Sequence, residues 1–150
     1  LVEDSAELAR LRHHLTPEAL KFGSVVPAGL SVMGHTEELR TAVSNLFDNA
    51  IKYSAKEKQI VVDVVTPNLD TIMLRVRDQG VGIARPELKR IFKRFYRVQS
   101  LAARHVKGTG LGLFIVRSVA RAHGGDAYAE SEGEGHGSTF ILRLPRAYHV

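Results

Sequence analysis

The chain has 150 residues, of which 44% are hydrophobic and 25% charged, values typical of one globular domain with its own core. It contains no cysteine, which excludes disulfides, thiolate metal sites and cysteine nucleophiles. Its longest strongly apolar run, residues 60–65, is far shorter than the roughly 18 residues that a membrane-spanning helix requires. The net charge of +5 permits binding to nucleic acid, but the excess concentrates in residues 93–107, which hold five Lys or Arg and no acid. A solvated basic surface is the simplest explanation of such a run.

The first third of the chain predicts a polar leading segment, two short strands and one long helix. Residues 1–20 are polar and mildly helical, and strands are expected at "FGSVV" and "LSVMG", on either side of a Pro-Ala-Gly turn. Thr36 is expected to cap the helix, with Glu37 and Glu38 complementing its dipole. Apolar residues then recur at helical spacing, namely Leu39, Val43, Leu46, Phe47, Ala50 and Ile51.

Three further stretches predict strands. The β-branched runs at residues 58–66 and 71–78 are typical of strands, and Pro67-Asn68 between them is typical of a turn. Residues 126–145 predict a final hairpin, whose second strand alternates at Phe140, Leu142 and Leu144.

Two further stretches predict helices. Residues 85–95 predict a short helix with Pro86 near its start, and residues 110–125 predict a longer helix closed by Gly124. These elements indicate an α+β fold: a two-layer sandwich with a mixed, mostly antiparallel sheet of about five strands and three main helices on one face. The expected buried side of the longer helix consists of Leu111, Ile115, Val119 and Ala122.

The long helix carries a polar stripe in "NLFDNAIKY", residues 45–53. At about 100° per residue, Asn45, Asn49 and Lys52 lie within about 60° of each other, with Tyr53 beside them. A solvated face is one explanation, but solvated faces favour Glu, Lys and Arg over asparagine, a poor helix former. The other explanation is a ligand site, because an amide oxygen suits Mg²⁺ and a lysine suits phosphate.

Two glycine-rich stretches border predicted elements. "DQGVGI", residues 78–83, follows a strand, and "KGTGLGL", residues 107–113, leads into a helix. Glycine lets the backbone approach a ligand closely, and the N–H groups at a helix start bind anions, although each stretch could be only a tight turn. A GxGxxG fingerprint would need glycine at Arg85 or Leu113, and no Gly-Lys pair is followed by Ser or Thr as a P-loop requires. Both of these familiar nucleotide motifs are excluded.

Five motifs in a fixed order, "NLFDNAIKY", "DQGVGI", "IFKRFYR", "GTGLGL" and "GHGSTF", resemble the ATP-binding catalytic domain of sensor histidine kinases. That domain belongs to the GHKL superfamily, together with gyrase-type ATPases, and has the Bergerat-type ATP-binding fold. The resemblance covers about residues 25–145. It implies a catalytic domain at residues 21–150, preceded by a leading segment, residues 1–20, that follows a helical-hairpin phosphoacceptor domain outside this sequence.

The resemblance also implies a reaction and its partners. With ATP and Mg²⁺ as cofactors, the domain would transfer the γ-phosphate to a histidine on the hairpin domain, which would pass it to an aspartate of a response regulator. We expect a cytoplasmic domain that contacts neither nucleic acid nor membrane. Its parent is expected to be a homodimer, and the family pattern is compatible with an inner-membrane sensor kinase.

The family roles fall on particular residues of this chain. Asn49 would be the Mg²⁺ ligand, Asn45 and Lys52 would be catalytic, and Asp78 would accept a hydrogen bond from the adenine amino group. Residues 93–107 would form the lid, whose five positive charges suit a triphosphate. The other residues implied in nucleotide binding are Tyr53; Gly80, Gly82 and Ile83 around adenine; Phe92 and Phe95 of the phenylalanine box, which could equally be core; Arg94 and Arg97 at the phosphates; Gly108, Thr109, Gly110, Leu111, Gly112 and Leu113 in the phosphate loop; and Thr139 supporting the base pocket.

Some features depart from the family pattern, and three alternatives stay open. "HHLTP", residues 13–17, lacks the acid and arginine of a phosphoacceptor motif and is read as an ordinary helix end. Lys107 stands where a glycine is frequent. A GHKL hydrolase would carry a glutamate in place of Asn45, and an anti-sigma serine kinase generally lacks the "IFKRFYR" element. A basic nucleic-acid-binding module would show no nucleotide affinity and a steep salt dependence.

Overall fold

The computed structural model describes residues 1–54, 58–96 and 110–148. Across these ranges no helix is both long and apolar enough to cross a membrane. The helices are α1 (Val2–Arg12), α2 (Thr36–Tyr53), α3 (Glu87–Arg90) and α4 (Gly112–Ala122), and the strands are β1 (Leu20–Phe22), β2 (Ile60–Asn68), β3 (Thr71–Asp78), β4 (Asp126–Glu130) and β5 (Ser138–Pro145).

The five strands form one sheet in the order β1-β2-β3-β5-β4. β1 runs parallel to β2, and the other neighbouring pairs are antiparallel. The expected mixed, mostly antiparallel sheet is therefore confirmed. The turn between β2 and β3 lies at Leu69 and Asp70, later than predicted, because Asn68 still pairs with Thr71 and its side-chain oxygen accepts the Asp70 N–H at 2.9 Å.

Alternation along the strands buries one face of the sheet under the helices. Val62, Val76 and Phe140 lie on this inner face and are fully buried. α2 packs against β3 and β5, α4 packs against β4 and β5, and α1 packs against α2. Burying each of the three side chains on the inner face contributes about 1.5–3 kcal/mol to the free energy of unfolding. The expected two-layer sandwich, with its main helices on one face, is confirmed.

Residues 1–20 share the core of the rest of the chain. Ala6 and Ala9 on α1 are fully buried in the core cluster. The Arg10 guanidinium donates a hydrogen bond to the Leu20 carbonyl at 2.8 Å, and Arg12 pairs with Asp48 of α2 at 2.8 Å. The division into a leading segment and a domain that begins at residue 21 stays a prediction, whereas α1 itself is packed as part of this fold.

The two strands expected around the Pro-Ala-Gly turn were predicted wrongly. The first strand is β1, which ends at Phe22 before most of "FGSVV", and "LSVMG" forms only an isolated bridge between Ser31 and Ala147. Proline offers no N–H to a ladder, and Gly29 turns the chain with φ of +78°. Thr36 is the first residue of α2 rather than its cap, and the cap residue His35 makes no side-chain capping bond.

Both later helices also differ in detail from the prediction. α3 has only four residues, because after Arg90 the chain continues in turns with bonds between residues three apart, such as the Lys93 N–H to the Arg90 carbonyl at 3.0 Å. Phe95 then adopts φ of +64° and donates its N–H to the Gly110 carbonyl at 2.9 Å. α4 buries a stripe one residue away from the predicted side, and Ile115 and Val119 lie half-buried at its margin. Apolar residues occupy both stripes, so periodicity alone could not choose between them. The buried residues of α4 are Leu113, Val116 and Ala120.

A histidine joins the start of α2 to the end of α4. The His123 side chain is only 5% exposed, and its Nδ1 lies 2.7 Å from the Val119 carbonyl oxygen. The His35 backbone N–H donates to His123 Nε2 at 3.1 Å. Nδ1 therefore carries the proton and Nε2 accepts, which is the neutral tautomer. This contact holds the two long helices side by side.

Gly124 ends α4 in a left-handed conformation, with φ of +81°. Its N–H donates to the Arg121 carbonyl at 3.1 Å, and the Gly125 N–H donates to the Ala120 carbonyl at 2.8 Å. These two bonds form a Schellman motif and satisfy carbonyls that would otherwise lack partners. The predicted glycine closure of this helix is confirmed.

We expect Gly124→Ala to lower the free energy of unfolding by about 1–2 kcal/mol, because an added Cβ penalises the left-handed conformation. Urea denaturation of the purified chain measures this change. Ser118→Ala, at an exposed position of α4, is the control and should alter stability by no more than about 0.5 kcal/mol. Equal stability of the two variants would contradict the argument.

Candidate nucleotide site

Asp78 lies at the end of β3 with its carboxylate buried, since the residue is only 2% exposed. One carboxylate oxygen accepts the Gly80 N–H at 2.8 Å, and the other accepts the Ser138 hydroxyl at 2.8 Å. Burial raises the pKa of the Asp78 carboxyl above 3.8, and the hydrogen bonds from Ser138 and Gly80 offset part of that rise. A carboxylate offers about four lone-pair positions, so acceptor capacity remains beyond these two bonds.

The segment around Asp78, which we call the base loop (residues 78–83), is held by the loop of the β4–β5 hairpin, which we call the hairpin loop (residues 131–137). The Gly135 N–H donates to the Val81 carbonyl at 2.7 Å, and the Gly137 N–H donates to the Gly80 carbonyl at 3.2 Å. Gly82 has φ of +70°, and a Cβ there would overlap the Gly133 carbonyl. The predicted glycines of the two motifs therefore pack against one another.

Two further groups in this region were missed by the sequence analysis. The Ser131 hydroxyl accepts the Ile83 N–H at 3.1 Å and lies 2.6 Å from the Gly137 carbonyl, so one serine connects the two loops. The Lys58 ammonium donates to the Ile51 carbonyl at 3.1 Å, at the end of α2. Neither residue belongs to a motif, and no sequence pattern indicated their contacts.

Ser138, rather than Thr139, stands beside Asp78. In the β3–β5 register Ser138 pairs with Asp78, whereas Thr139 pairs with Arg77 and, on β4, with Glu130, on the opposite face of the sheet. Ser138 therefore bonds Asp78 directly, while Thr139 lines the same cavity as Asp78 and its support of the base pocket stays a prediction. The alternation at Phe140, Leu142 and Leu144 indicated this placement of Ser138, because residue 138 lies on the same buried face of β5 and residue 139 does not.

The polar stripe of α2 includes three residues near the surface and one, Tyr53, in the core. Asn45 and Asn49 are half-buried and Lys52 is exposed, so all three lie at the margin between the core face and the surface. Tyr53, by contrast, is 7% exposed and packs on Phe140 with ring centres 5.9 Å apart. A Cβ on Gly80 would overlap the Tyr53 carbonyl, so the base loop lies directly against this end of α2.

Asn49 has the properties of a cation ligand. Its side-chain nitrogen is buried without a hydrogen-bond partner among the residues that the structure describes. Oxygen and nitrogen of an amide are interchangeable in shape, so in either orientation one polar atom needs a partner. Within the described ranges no group of three or more His, Asp or Glu could hold a metal. Mg²⁺, which commonly takes few protein ligands plus phosphate oxygens and water, fits a site built on this single amide.

The start of α4 faces the stripe. Asn45 Oδ1 is 3.4 Å from the position that a Cβ on Gly112 would occupy, and Asn45 Nδ2 donates to the Thr41 carbonyl at 3.0 Å. No side chain caps α4 and no acid lies in its first turn, so the helix dipole favours an anion there. Gly110 takes φ of +76°, Leu111 is half-buried and Leu113 is buried.

The two residues of the phenylalanine box, Phe92 and Phe95, differ in their exposure to solvent. Phe92 is buried, and the Arg117 guanidinium lies 4.2 Å from its ring centre, whereas Phe95 is 65% exposed. The Arg94 guanidinium lies 4.6 Å from the Phe114 ring, at the first turn of α4. Arg97, Gly108 and Thr109, together with most of the predicted lid at 93–107, lie outside the described residues.

Residues 34–148 match the model of the histidine kinase-, DNA gyrase B-, and HSP90-like ATPase family. The chain belongs to this family, as an ATP-binding catalytic domain of the histidine kinase type. The expected fold class and the expected family are thereby confirmed.

Individual relatives place the chain among sensor kinases. It is 40% identical over 119 residues to the sensor-like histidine kinase SenX3 of Mycolicibacterium smegmatis, covering 79% of this chain and 30% of that protein. It is 36% identical over 110 residues to the sensor histidine kinase WalK of Bacillus subtilis, covering 73% of this chain and 18% of that protein. The chain thus spans less than a third of these relatives.

Solved structures agree with the sequence relatives. The mycobacterial sensor histidine kinase MprB superposes with a TM-score of 0.83 at 30% identity, over 99% of this chain and 95% of that one. Full-length ShkA in complex with AMPPNP superposes with a TM-score of 0.75 at 25% identity, over 99% of this chain and 30% of that one.

We expect Asp78→Asn to stabilise the fold at neutral pH. A carboxyl whose pKa is raised by folding contributes stability below its unfolded pKa, near 3.8, and loses it as pH rises through the folded pKa. Asparagine keeps an acceptor for the Gly80 N–H and a group that can bond Ser138, without the buried charge. The melting temperatures of wild type and variant should therefore be similar near pH 3.5 and diverge upward, in favour of the variant, towards pH 7.

Thermal unfolding followed by circular dichroism between these pH values measures the difference. Asp70→Asn, at an exposed acid of the β2–β3 turn, serves as the matched control and should follow wild type. An Asp78→Asn variant that melts lower than wild type at pH 7 would show that the ionised carboxylate mainly fixes the turn.

Proposed function

We propose that this chain binds ATP with Mg²⁺ and transfers the γ-phosphate to a histidine on a separate helical-hairpin domain of its parent protein. The observation that carries the proposal is the buried Asp78 carboxylate, fixed by Gly80 and Ser138 at the floor of the glycine loops. Full-length ShkA, to which this chain is similar over 99% of its length, is a structure in complex with AMPPNP, an ATP analogue, and this supports the same ligand class here.

Asp78 suits adenine because an ionised carboxylate only accepts hydrogen bonds. Adenine presents an exocyclic amino donor where guanine presents a carbonyl oxygen, which would face the carboxylate without a proton between them. Ile83 is 1% exposed, and Gly80 and Gly82 let the base loop pack directly against the Tyr53 and Gly133 carbonyls. These residues would bound the base on its apolar side.

Asn49, Lys52 and the start of α4 suit the phosphates. The Asn49 amide would hold Mg²⁺, which when bound neutralises charge on the phosphate oxygens. The exposed Lys52 ammonium and the first turn of α4 would attract the same anion, with Arg94 held close by on Phe114. The protein thereby positions the phosphates and stabilises charge, which is the main catalytic contribution in phosphoryl transfer.

Asn45 favours transfer over hydrolysis. Hydrolases of this superfamily use a glutamate at the corresponding position to take a proton from water, and an amide cannot act as a base at neutral pH. The Asn45 side chain is also occupied with the Thr41 carbonyl. The acceptor would be an imidazole that arrives with its own domain, and the relatives, which are far longer than this chain, leave room for one.

The chain's own histidine pair is a weaker acceptor. His13 lies 2.8 Å from Asp48 through its Nε2, at the end of α1, and His14 follows with φ of 54°.

We further propose that the phosphorylated partner passes its phosphoryl group to an aspartate of a response regulator, and that the parent works as a homodimer. Leading residues 1–20 would connect the hairpin to the domain.

The domain should prefer ATP to GTP by about a hundredfold or more, because guanine would leave a buried polar group mispaired. Asp78→Asn should lower ATP affinity at least about tenfold while preserving the fold. Titration calorimetry with both nucleotides measures this, and Asp70→Asn is again the matched control. Unchanged ATP affinity in Asp78→Asn would remove the adenine assignment, and equal affinity for DNA and ATP with a steep salt dependence would favour the nucleic-acid alternative.

Asn49→Ala should weaken ATP binding in the presence of Mg²⁺ but not in its absence, and it should abolish phosphotransfer. Calorimetry with and without Mg²⁺ tests the first part, and labelled ATP mixed with the parent's hairpin domain tests the second. Asn68→Ala, at the far end of the sheet, is the matched control. Stoichiometric labelling of the chain alone at His14 would contradict the separate acceptor.

A further inference from the structure

A groove of about 270 Å³ runs between α1 and α2. We call it the α1–α2 groove; it lies outside the adenine and phosphate positions described above. Its lining residues are Ser5, Leu8, Arg40, Thr41, Ser44 and Asn45.

The α1–α2 groove opens onto the candidate nucleotide site. Asn45 lines the groove and also meets Gly112 at the start of α4. Asn49 follows Asn45 by four residues on α2, which is about one helical turn, or about 6 Å along the axis. A group seated in the groove is therefore within a side chain's reach of the phosphate end of the site.

Two polar groups of the groove lack partners. Ser5 is 2% exposed, and its hydroxyl is buried without a hydrogen bond to any described residue. The half-buried Arg40 guanidinium likewise makes no hydrogen bond or ion pair with the part of the chain that the structure describes. No described residue that lines the groove is acidic. An acidic, hydrogen-bonding occupant would satisfy both groups.

Leu8, which lines the groove, is one of three exposed leucines at or near α1. Leu8 is 48% exposed, Leu11 is 69% exposed, and Leu1, which caps α1 about two helical turns before Leu8, is 42% exposed. Residues at this spacing lie on one side of a helix. Apolar side chains left in water beside a cationic groove are typical of a surface that packs against an amphipathic helix.

We propose that the α1–α2 groove docks one helix of the phosphoacceptor hairpin, with an acidic side chain opposite Arg40 and an apolar side chain against Leu8. This inference rests on the proposed function, which requires the hairpin to bring its histidine to the phosphates beside Asn45 and Asn49. A helix fits because the site lies between two helices, where the ridges of a third can pack. A second copy of this chain suits it less, because each copy carries a net charge of +5.

The test measures phosphotransfer from labelled ATP to the parent's hairpin domain, supplied as a separate polypeptide over a range of concentrations. Arg40→Glu should raise the KM for the hairpin about tenfold or more, with kcat and Mg-ATP affinity within about twofold of wild type. Leu8→Ser should act in the same direction. Lys21→Glu, on the exposed edge strand β1, makes the same charge change away from the groove and should behave as wild type.

A compensating change sharpens the test. Replacing each acidic residue of the hairpin in turn by lysine should identify one that restores transfer to Arg40→Glu and impairs it with wild type. If wild type transfers phosphate and Arg40→Glu matches it, the docking site is wrong and the proposed function stands. If wild type binds no ATP or labels no hairpin, both fail. Concentration-dependent dimerisation that Arg40→Glu abolishes would assign the groove to a second copy and overturn the proposal.

Discussion

The hydrogen bonds of the buried Asp78 carboxylate hold together the end of β3, the base loop and the start of β5. The group ends β3, accepts the Gly80 N–H of the base loop, and accepts the Ser138 hydroxyl of β5. A buried carboxylate without such partners would cost several kcal/mol, so the strand register and the loop conformation must both be correct for it to be tolerated. Two lone-pair positions of the carboxylate stay free of protein bonds and could accept a hydrogen bond from a ligand. The ionised carboxylate is needed for that bond, whereas burying its charge lowers the stability of the fold.

The loops around Asp78 are kept in place mainly by backbone contacts. The base loop and the hairpin loop exchange hydrogen bonds through Val81, Gly135 and Gly137, and Ser131 adds a side-chain link. Glycine is required at Gly80 and Gly82 because neighbouring carbonyls occupy the space where a Cβ would lie. Such a site is preformed by its scaffold, which lowers the ordering cost of binding a nucleotide.

Helices α2 and α4 form the other side of the candidate nucleotide site. His123 fixes the end of α4 to the start of α2, and Asn45 meets the start of α4 at Gly112. The proposed phosphate positions therefore lie where two helices converge, with the start of α4 and the Asn45 amide close together. The α1–α2 groove continues along α2 from this point. One helix, α2, thus carries both the proposed nucleotide contacts and the surface proposed to receive the acceptor.

The sequence by itself determined the class of fold, the asparagine stripe and the two glycine loops, because alternation, helical period and glycine spacing are local properties. The role expected of Asp78 came from the resemblance of the ordered motifs to a known family. Only the tertiary structure decided that Ser138 rather than Thr139 meets Asp78, that α4 buries Leu113, Val116 and Ala120, and that Ser5 and Arg40 share a groove. These facts depend on strand register and on which helix faces meet. Register and packing are set by contacts between residues far apart in the chain, where a shift of one residue reverses the face of a strand or turns a helix by about 100°.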